Sequence, residues 1–378
     1  MYARSLDLYA LLEARSYFLF GPRGCGKTTL IKSTFPEAKI YDLLDSKVYT
    51  RLMRDPTLLE EETIASDLVV IDEVQKLPAI LDEVHRLIES RKQRFLLTGS
   101  SARKLKRGGA NLLAGRAFQA SLFPLTSSEI PSFDLLTYIN TTGLPEFYGS
   151  SQSGDFLDAY VSTYLKEEIQ GEGLVRNLPA FSRFLDVVAL CNGEELNYAN
   201  VGSDAGVPVR TLEGYFSILE ETLLGFMVPA FLATKKRKAI TRPKFYLFDV
   251  GVTNFLAKRG EIRQGSELFG KAFEHFIALE LRAWLSYKKS RLLLQYWRSI
   301  SKFEVDFILG DQIAIEVKAS NQISDKHLKG LRALGEEHIM RSRIVVSCDP
   351  KRRTTSDGIM IYPWREFLDA LWSGQLLS

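Results

Sequence analysis

The sequence predicts an α/β protein whose first third is a parallel sheet wrapped by helices. Three observations carry this. Short apolar runs at residues 17–20, 68–71 and 95–97 alternate with amphipathic stretches, the rhythm of strands and crossover helices. A glycine-rich loop follows the first run. Two carboxylates end the second, and open α/β sheets collect ligands at the carboxyl ends of their strands.

Composition bounds the rest. At roughly 150 residues per domain, 378 residues are enough for two to three domains. Apolar residues make up 46% and charged residues 25%, the balance of a folded, soluble chain. The 49 basic and 46 acidic residues leave a net charge of only +3, so any nucleic-acid surface must come from local clustering. The longest uncharged stretch, residues 222–234, has 13 residues, whereas a membrane-spanning helix needs about 20. Asp7, Glu13 and Arg15 interrupt the N-terminal segment, which excludes a signal peptide. Cys25, Cys191 and Cys348 form neither a disulfide framework nor a zinc site, and the four histidines show no ligand spacing. The expectation is a cytoplasmic protein with no membrane partner.

The loop Gly21-Pro22-Arg23-Gly24-Cys25-Gly26-Lys27-Thr28 fits G-x-x-x-x-G-K-[ST] at every fixed position, and Thr29 continues into a helix. Glycines let backbone N–H groups wrap phosphates, and the helix N-terminus adds positive potential. Residues Gly21 to Thr29 are therefore expected to bind a nucleotide. Lys27 would reach the β- and γ-phosphates, and the Thr28 hydroxyl would bind Mg2+. Asp72 and Glu73 end the second run. Asp72 is expected to hold the metal through its water shell, and Glu73 to polarise the attacking water. In the third strand, 95–101, Ser100 is the hydroxyl expected to sense the γ-phosphate or position the water, although an ordinary strand-to-turn transition would read the same way. Arg116 follows the basic stretch 103–107. It reads as an arginine finger, in this chain or across a homo-oligomer, or as a structural surface arginine.

Four regions are expected: a core at 1–130, a helical lid or connector at 131–180, a winged-helix-like region at 181–262, and a mixed α/β domain at 263–378. In the third region, helical segments at 181–191 and 198–205 precede Gly206-Val207-Pro208. A longer helix then carries Leu212, Tyr215, Phe216, Leu219 and Leu223 on one face. Strand-like runs at 226–231 and 245–248 flank a basic segment with Lys235, Lys236, Arg237, Lys238, Arg242 and Lys244. At the position of a wing, these six would grip DNA phosphates with little sequence readout. A solvated charge run is the plainer alternative.

The last region centres on two alternating strands. Glu304 and Asp306 share one face of the first, Glu316 and Lys318 one face of the second. A hairpin with the three-residue loop Gly310-Asp311-Gln312 pairs Leu309 with Ile313. That register sets Asp306 opposite Glu316 and Glu304 opposite Lys318; a two-residue loop would separate the acids. Two close carboxylates suit Mg2+ or Mn2+. Lys318 would then orient a water on that metal or offset charge on the phosphate. Glu274, on the flank of an apolar helical stripe, is a third candidate acid. A cross-strand Glu–Lys pair that only stabilises the sheet would leave the same pattern.

These pieces carry two resemblances. Residues 1–130 resemble the AAA+ superfamily of P-loop ATPases, in a prokaryotic branch with GPR-x-x-GKTTL, a VVIDE-V-Q strand and a TGSS strand. Gly115-Arg116, Phe123-Pro124-Leu125, Tyr164-Leu165 and Phe248-Asp249-Val250-Gly251 recur in that branch, whose members carry a C-terminal domain of unknown function. Asp306-x(9)-Glu316-x-Lys318 resembles the signature of the PD-(D/E)XK restriction-endonuclease-like fold, with Val305 where the family name has proline. The resemblances imply an ATP- and Mg2+-dependent ATPase that engages DNA, with a nuclease-like centre at Glu274, Asp306, Glu316 and Lys318. The alternative is a nucleotide-dependent switch or scaffold whose nuclease-like domain is inactive and binds only DNA or a protein partner. A helicase-like motor fits less well, since only one motor core is present.

Overall fold

In the computed structural model the described residues are 2–64, 66–107, 113–165, 177–234 and 236–376. Five runs form the first sheet: β1 (Ser16–Phe20), β2 (Lys39–Asp42), β3 (Leu68–Asp72), β4 (Arg94–Gly99) and β5 (Ala117–Ser121). All neighbouring pairs are parallel, in the order β2-β3-β4-β1-β5. β1 is buried along its whole length, and β3 and β4 are buried after their first residue. Strands covered on both faces read as unbroken apolar runs, which is why these three were visible in the sequence. β2 exposes Lys39 and Asp42 and buries only Tyr41, so this edge strand left no such signal.

The strand order positions the chemistry. β4 lies between β1 and β3, with Phe20 beside Gly99 and Ile71 beside Leu97. The glycine loop and Asp72 therefore leave the same end of the sheet but two strands apart, about 10 Å at ordinary strand spacing. Thr98 occupies the strand between them. This sheet belongs to a compact unit of residues 1–125 with 144–146 and 218–224; the remainder forms a second unit.

In the second unit, helices Leu178–Leu190 and Tyr198–Ala205 and the first part of Val209–Glu221 pack through aromatic side chains. Tyr215 meets Phe181 edge-on at 4.8 Å, and Phe216 meets Phe184 at 5.0 Å. A two-stranded antiparallel ribbon follows, β6 (Gly225–Val228) and β7 (Lys244–Leu247). The chain between them does not project as the expected wing. It runs along β8 (Leu294–Arg298), with Phe231 N–H donating to Tyr296 O at 2.7 Å and Ile240 N–H to Arg298 O at 2.8 Å. Of the expected connector, helices Leu135–Asn140 and Ser153–Ala159 are described, and 166–176 lie outside the described residues.

β8 is the edge of a six-stranded mixed sheet completed by β9 (Glu304–Leu309), β10 (Ile313–Lys318), β11 (Ser342–Ser347), β12 (Arg353–Thr354) and β13 (Ile359–Pro363). The order is β12-β13-β11-β10-β9-β8, antiparallel from β8 to β10 and parallel from β10 through β11 to β13. β9 and β10 pair Leu309 with Ile313 and Phe307 with Ile315, across the loop Gly310-Asp311-Gln312. Helix Glu267–Tyr287 packs against β10. Helix Lys329–Gly335 lies directly on β9, where a side chain at Gly330 would overlap the carbonyl of Glu304. Among the described residues no helix is long and apolar enough to cross a membrane.

One junction accounts for Phe248-Asp249-Val250-Gly251. Asp249 is fully buried and caps helix Val250–Leu256, accepting from Val252 N–H at 2.9 Å and from Gly143 N–H at 2.7 Å. A Cβ at Gly251 would overlap the carbonyl oxygen of Thr141. Backbone cannot yield as a side chain would, so Gly251→Ala should cost about 1–3 kcal/mol or more and lower the thermal midpoint by several degrees. A variant that melts with the wild type would show that this contact is loose.

Candidate functional site

The nucleotide loop is built by two backbone requirements. Gly24 and Gly26 sit at φ 81° and 92°, where a side chain is disfavoured, and Gly26 is the N-cap of helix Lys27–Thr34. A Cβ at Gly21 would overlap the carbonyl oxygen of Leu122. Lys27 is buried, and its ammonium donates to the carbonyls of Gly21 at 2.7 Å and Pro22 at 3.2 Å. Thr28 Oγ1 donates to Asp72 Oδ2 at 2.8 Å. A cavity of about 510 Å³ opens over the loop, lined by Arg23, Gly24, Gly26, Lys27, Thr28, Thr29 and Glu73, and walled by Tyr2, Arg4, Leu30, Ser33, Pro145 and Glu146.

Thr98 is the residue that sequence reasoning passed over. Its hydroxyl donates to Asp72 Oδ1 and accepts from Glu73 N–H at 3.1 Å. Glu73 adopts φ 59°, a left-handed conformation that costs a non-glycine residue about 1–3 kcal/mol. Thr98 thus fixes both carboxylate-bearing residues, one through its side chain and one through its backbone. Arg4 was also missed: it clamps the loop from outside, donating to Cys25 O and Phe123 O at 2.6 Å each.

Two expectations fare differently. Ser100 is buried at the end of β4, and its hydroxyl has no hydrogen-bond partner among the described residues; it does not line the cavity. Arg116 is half-exposed, its guanidinium bonded to the Glu89 carboxylate, and it is not among the lining residues either. Within this chain it forms a surface ion pair with Glu89.

The acidic centre lies in the second unit. Asp306 and Glu316 are 5% and 6% exposed, so two carboxylates are held nearly out of water. Lys318 Nζ sits 2.5 Å from Glu316 Oε1 and 3.7 Å from Asp306 Oδ2, which also accepts from Val317 N–H at 2.7 Å. Among the described residues, Glu316 Oε2 is buried with no hydrogen-bond partner. Burial, and then the charge of Asp306, push Glu316 well above the ordinary carboxylate range. Burial works against the Lys318 ammonium, but Asp306 and Glu316 outweigh it and hold its pKa above the usual value. An orphaned carboxylate oxygen beside a second buried acid fits a hard divalent cation.

Glu274 lies near enough for the charge of Asp306 to act on it, but its direct partners are others. Its Oε1 accepts from Lys244 Nζ at 3.1 Å and from Tyr246 O–H at 2.6 Å. The expected pairing of Glu304 with Lys318 is also replaced: Lys244 Nζ lies 2.8 Å from Glu304 Oε1, and Arg298 is 3.7 Å from its other oxygen. Among the described residues no three His, Cys, Asp or Glu side chains gather closely enough to hold a metal.

The basic segment is largely redirected. Lys244 is 3% exposed and cannot reach a phosphate on the surface. Arg237 is paired with Glu336 at 2.6 Å and Glu337 at 2.8 Å, because the segment lies along the sheet rather than in solvent. Lys236, Lys238 and Arg242 are exposed, and Lys235 lies outside the described residues.

Residues 13–131 match the family model of an AAA domain. Residues 132–263 and 269–367 match models of two domains of unknown function, DUF8612 and DUF4143. No curated protein matches the chain. Among solved structures, the chain is similar to a signal transduction ATPase with numerous domains and a tetratricopeptide repeat sensor from Pyrococcus horikoshii. Identity is 14%, coverage is 75% of this chain and 46% of that one, and the TM-score is 0.24. The chain thus spans less than half the length of that neighbour, and so slight a likeness carries no argument. The AAA match and the parallel sheet around the glycine loop support an AAA-type, nucleotide-dependent ATPase domain in the N-terminal third.

The hydroxyls of Thr98 in β4 and of Ser100 just past it make opposite predictions. Thr98→Val removes a buried donor and acceptor and should cost about 1–3 kcal/mol in urea unfolding. Ser100→Ala removes a hydroxyl with no protein partner and should change stability by less than about 0.5 kcal/mol. Equal effects would contradict the bonding described for Thr98.

Proposed function

We propose that the chain hydrolyses Mg-ATP in its first unit and that its second unit carries a divalent-cation centre acting on DNA phosphodiesters. The observation that carries the first part is Asp72, whose two carboxylate oxygens accept from Thr28 and Thr98 at the edge of the nucleotide cavity. Lys27 and the loop N–H groups would bind the β- and γ-phosphates, with the ammonium exchanging carbonyl partners for phosphate oxygens. Thr28 and Asp72 would hold Mg2+, which offsets charge on the phosphates when bound. Glu73, its backbone fixed by Thr98, would orient and polarise the attacking water.

The second part rests on the buried Asp306–Glu316 pair with Lys318 alongside. These carboxylates would hold Mg2+ or Mn2+, which polarises a phosphodiester when bound. Lys318 would orient the water. Lys236, Lys238 and Arg242, exposed on the segment that lies along β8, would contact phosphates without reading sequence. One observation favours the second reading, a nucleotide-dependent switch with a silent centre that only docks DNA or a protein. Glu274, the expected third acid, is already bonded to the Lys244 ammonium, which balances its charge without a metal.

Incubation with linear and circular DNA in Mg2+ or Mn2+, with and without ATP, separates the readings. Lys27→Ala should lower ATP turnover about 100-fold or more, and retained turnover would sink the nucleotide assignment. Cleavage that disappears in Asp306→Ala would establish the nuclease. ATP hydrolysis with no cleavage in any condition would favour the switch.

The raised pKa of Glu316 gives a pH test. A cation ligand must be ionised, so Mn2+ binding displaces the proton that burial and Asp306 retain there. Affinity for Mn2+ should rise with pH until the raised pKa is passed, and binding should release protons below it. Glu316→Gln should remove both effects; an unchanged pH profile would exclude Glu316 as a ligand.

A further inference from the structure

We propose that Lys244 is a built-in cation of the acidic centre: its ammonium occupies the place of a second divalent ion between Glu274 and Glu304 and restricts the centre to one metal. The inference rests on the reading of Asp306 and Glu316 as metal ligands and deepens it.

The geometry is specific. Lys244 comes from β7, outside the sheet that carries the acids, and its side chain is almost wholly buried. Nζ lies 3.1 Å from Glu274 Oε1 and 2.8 Å from Glu304 Oε1, so one ammonium bridges an acid of the helix and an acid of β9. The ammonium also lies over the Tyr296 ring at 5.4 Å. Tyr246, two residues along the same strand, donates to the oxygen of Glu274 that Lys244 holds. Asp306, on the same face of β9 as Glu304, completes the negative surroundings.

A buried ammonium persists only when acids surround it closely, and buried acids only when a cation or donors do. Here each answers the other. A divalent ion at this position would need several oxygens at about 2.0–2.6 Å, and the ammonium already takes the inward oxygens of Glu274 and Glu304. An ammonium balances charge but does not ionise a bound water. Glu316 is held by Lys318 on Oε1, while its buried Oε2 has no hydrogen-bond partner among the described residues, so the open cation position is at Glu316. Lys244 thus serves Glu274 and Glu304, Lys318 serves Glu316 and Asp306, and only Glu316 Oε2 is left open for a metal.

The test is Mn2+ binding to the full chain without nucleotide, read as loss of the free-ion electron paramagnetic resonance signal. Lys244→Met keeps the apolar stem and removes the charge; it should bind about one further equivalent of Mn2+ than the wild type. Adding Glu304→Gln to that variant should abolish the gain. A folded Lys244→Met that binds no more Mn2+ than the wild type overturns the inference. If Lys244→Met is unstable without metal, Mn2+ should restore its thermal midpoint, and failure to restore it also overturns the inference. Asp306→Asn reports separately on the parent reading. If it binds as much Mn2+ as the wild type, the Asp306–Glu316 site fails, while the gain in Lys244→Met still stands or falls alone.

Discussion

The first unit depends on how the carboxylate of Asp72 is shared. One oxygen accepts from Thr28 at the start of the loop helix and the other from Thr98 on the intervening strand. The second bond follows from the strand order, which places β4 and its Thr98 between β1 and β3. The same threonine receives the N–H of Glu73, which holds that residue in a left-handed turn. Strand order, strained backbone and the placement of two acids are therefore one constraint. Strain is kept at functional positions only where neighbours over-determine it, and Thr98 is that neighbour.

The second unit solves a different problem, the burial of many charges. Isolated ions in a protein interior cost several kcal/mol each unless paired. Glu274 and Glu304 are paired by Lys244, while Glu316 is paired on one oxygen and left open on the other. A buried carboxylate oxygen with no donor is rare enough to require an explanation. Under the proposed reading, a divalent cation bound there would supply one.

The elements legible in the sequence were those with local causes. β1, β3 and β4 showed as apolar runs because both their faces are covered, and the loop glycines showed because backbone conformation fixes them. The β9–β10 register followed from alternation and a glycine that adopts φ 60°. What was missed depends on elements distant in the chain. Nothing near Thr98 indicates that its strand separates Lys27 from Asp72. Lys244 belongs to a run of bases that composition marks as a surface, yet β7 turns it inward while Lys236, Lys238 and Arg242 stay outside. Arg237 likewise meets Glu336 and Glu337, about 100 residues later, a pairing no local pattern records.

Titration calorimetry of ATP with and without Mg2+, on the wild type and Asp72→Asn, tests the central claim most directly. Asparagine keeps the shape and one acceptor but loses the charge a metal needs. The account predicts that Mg2+ tightens ATP binding to the wild type by about tenfold or more, about 1.4 kcal/mol. It predicts that Asp72→Asn still binds ATP but loses most of that gain. Equal Mg2+ dependence in the two proteins would contradict the assignment of Asp72, and with it the organisation of the nucleotide site around that residue.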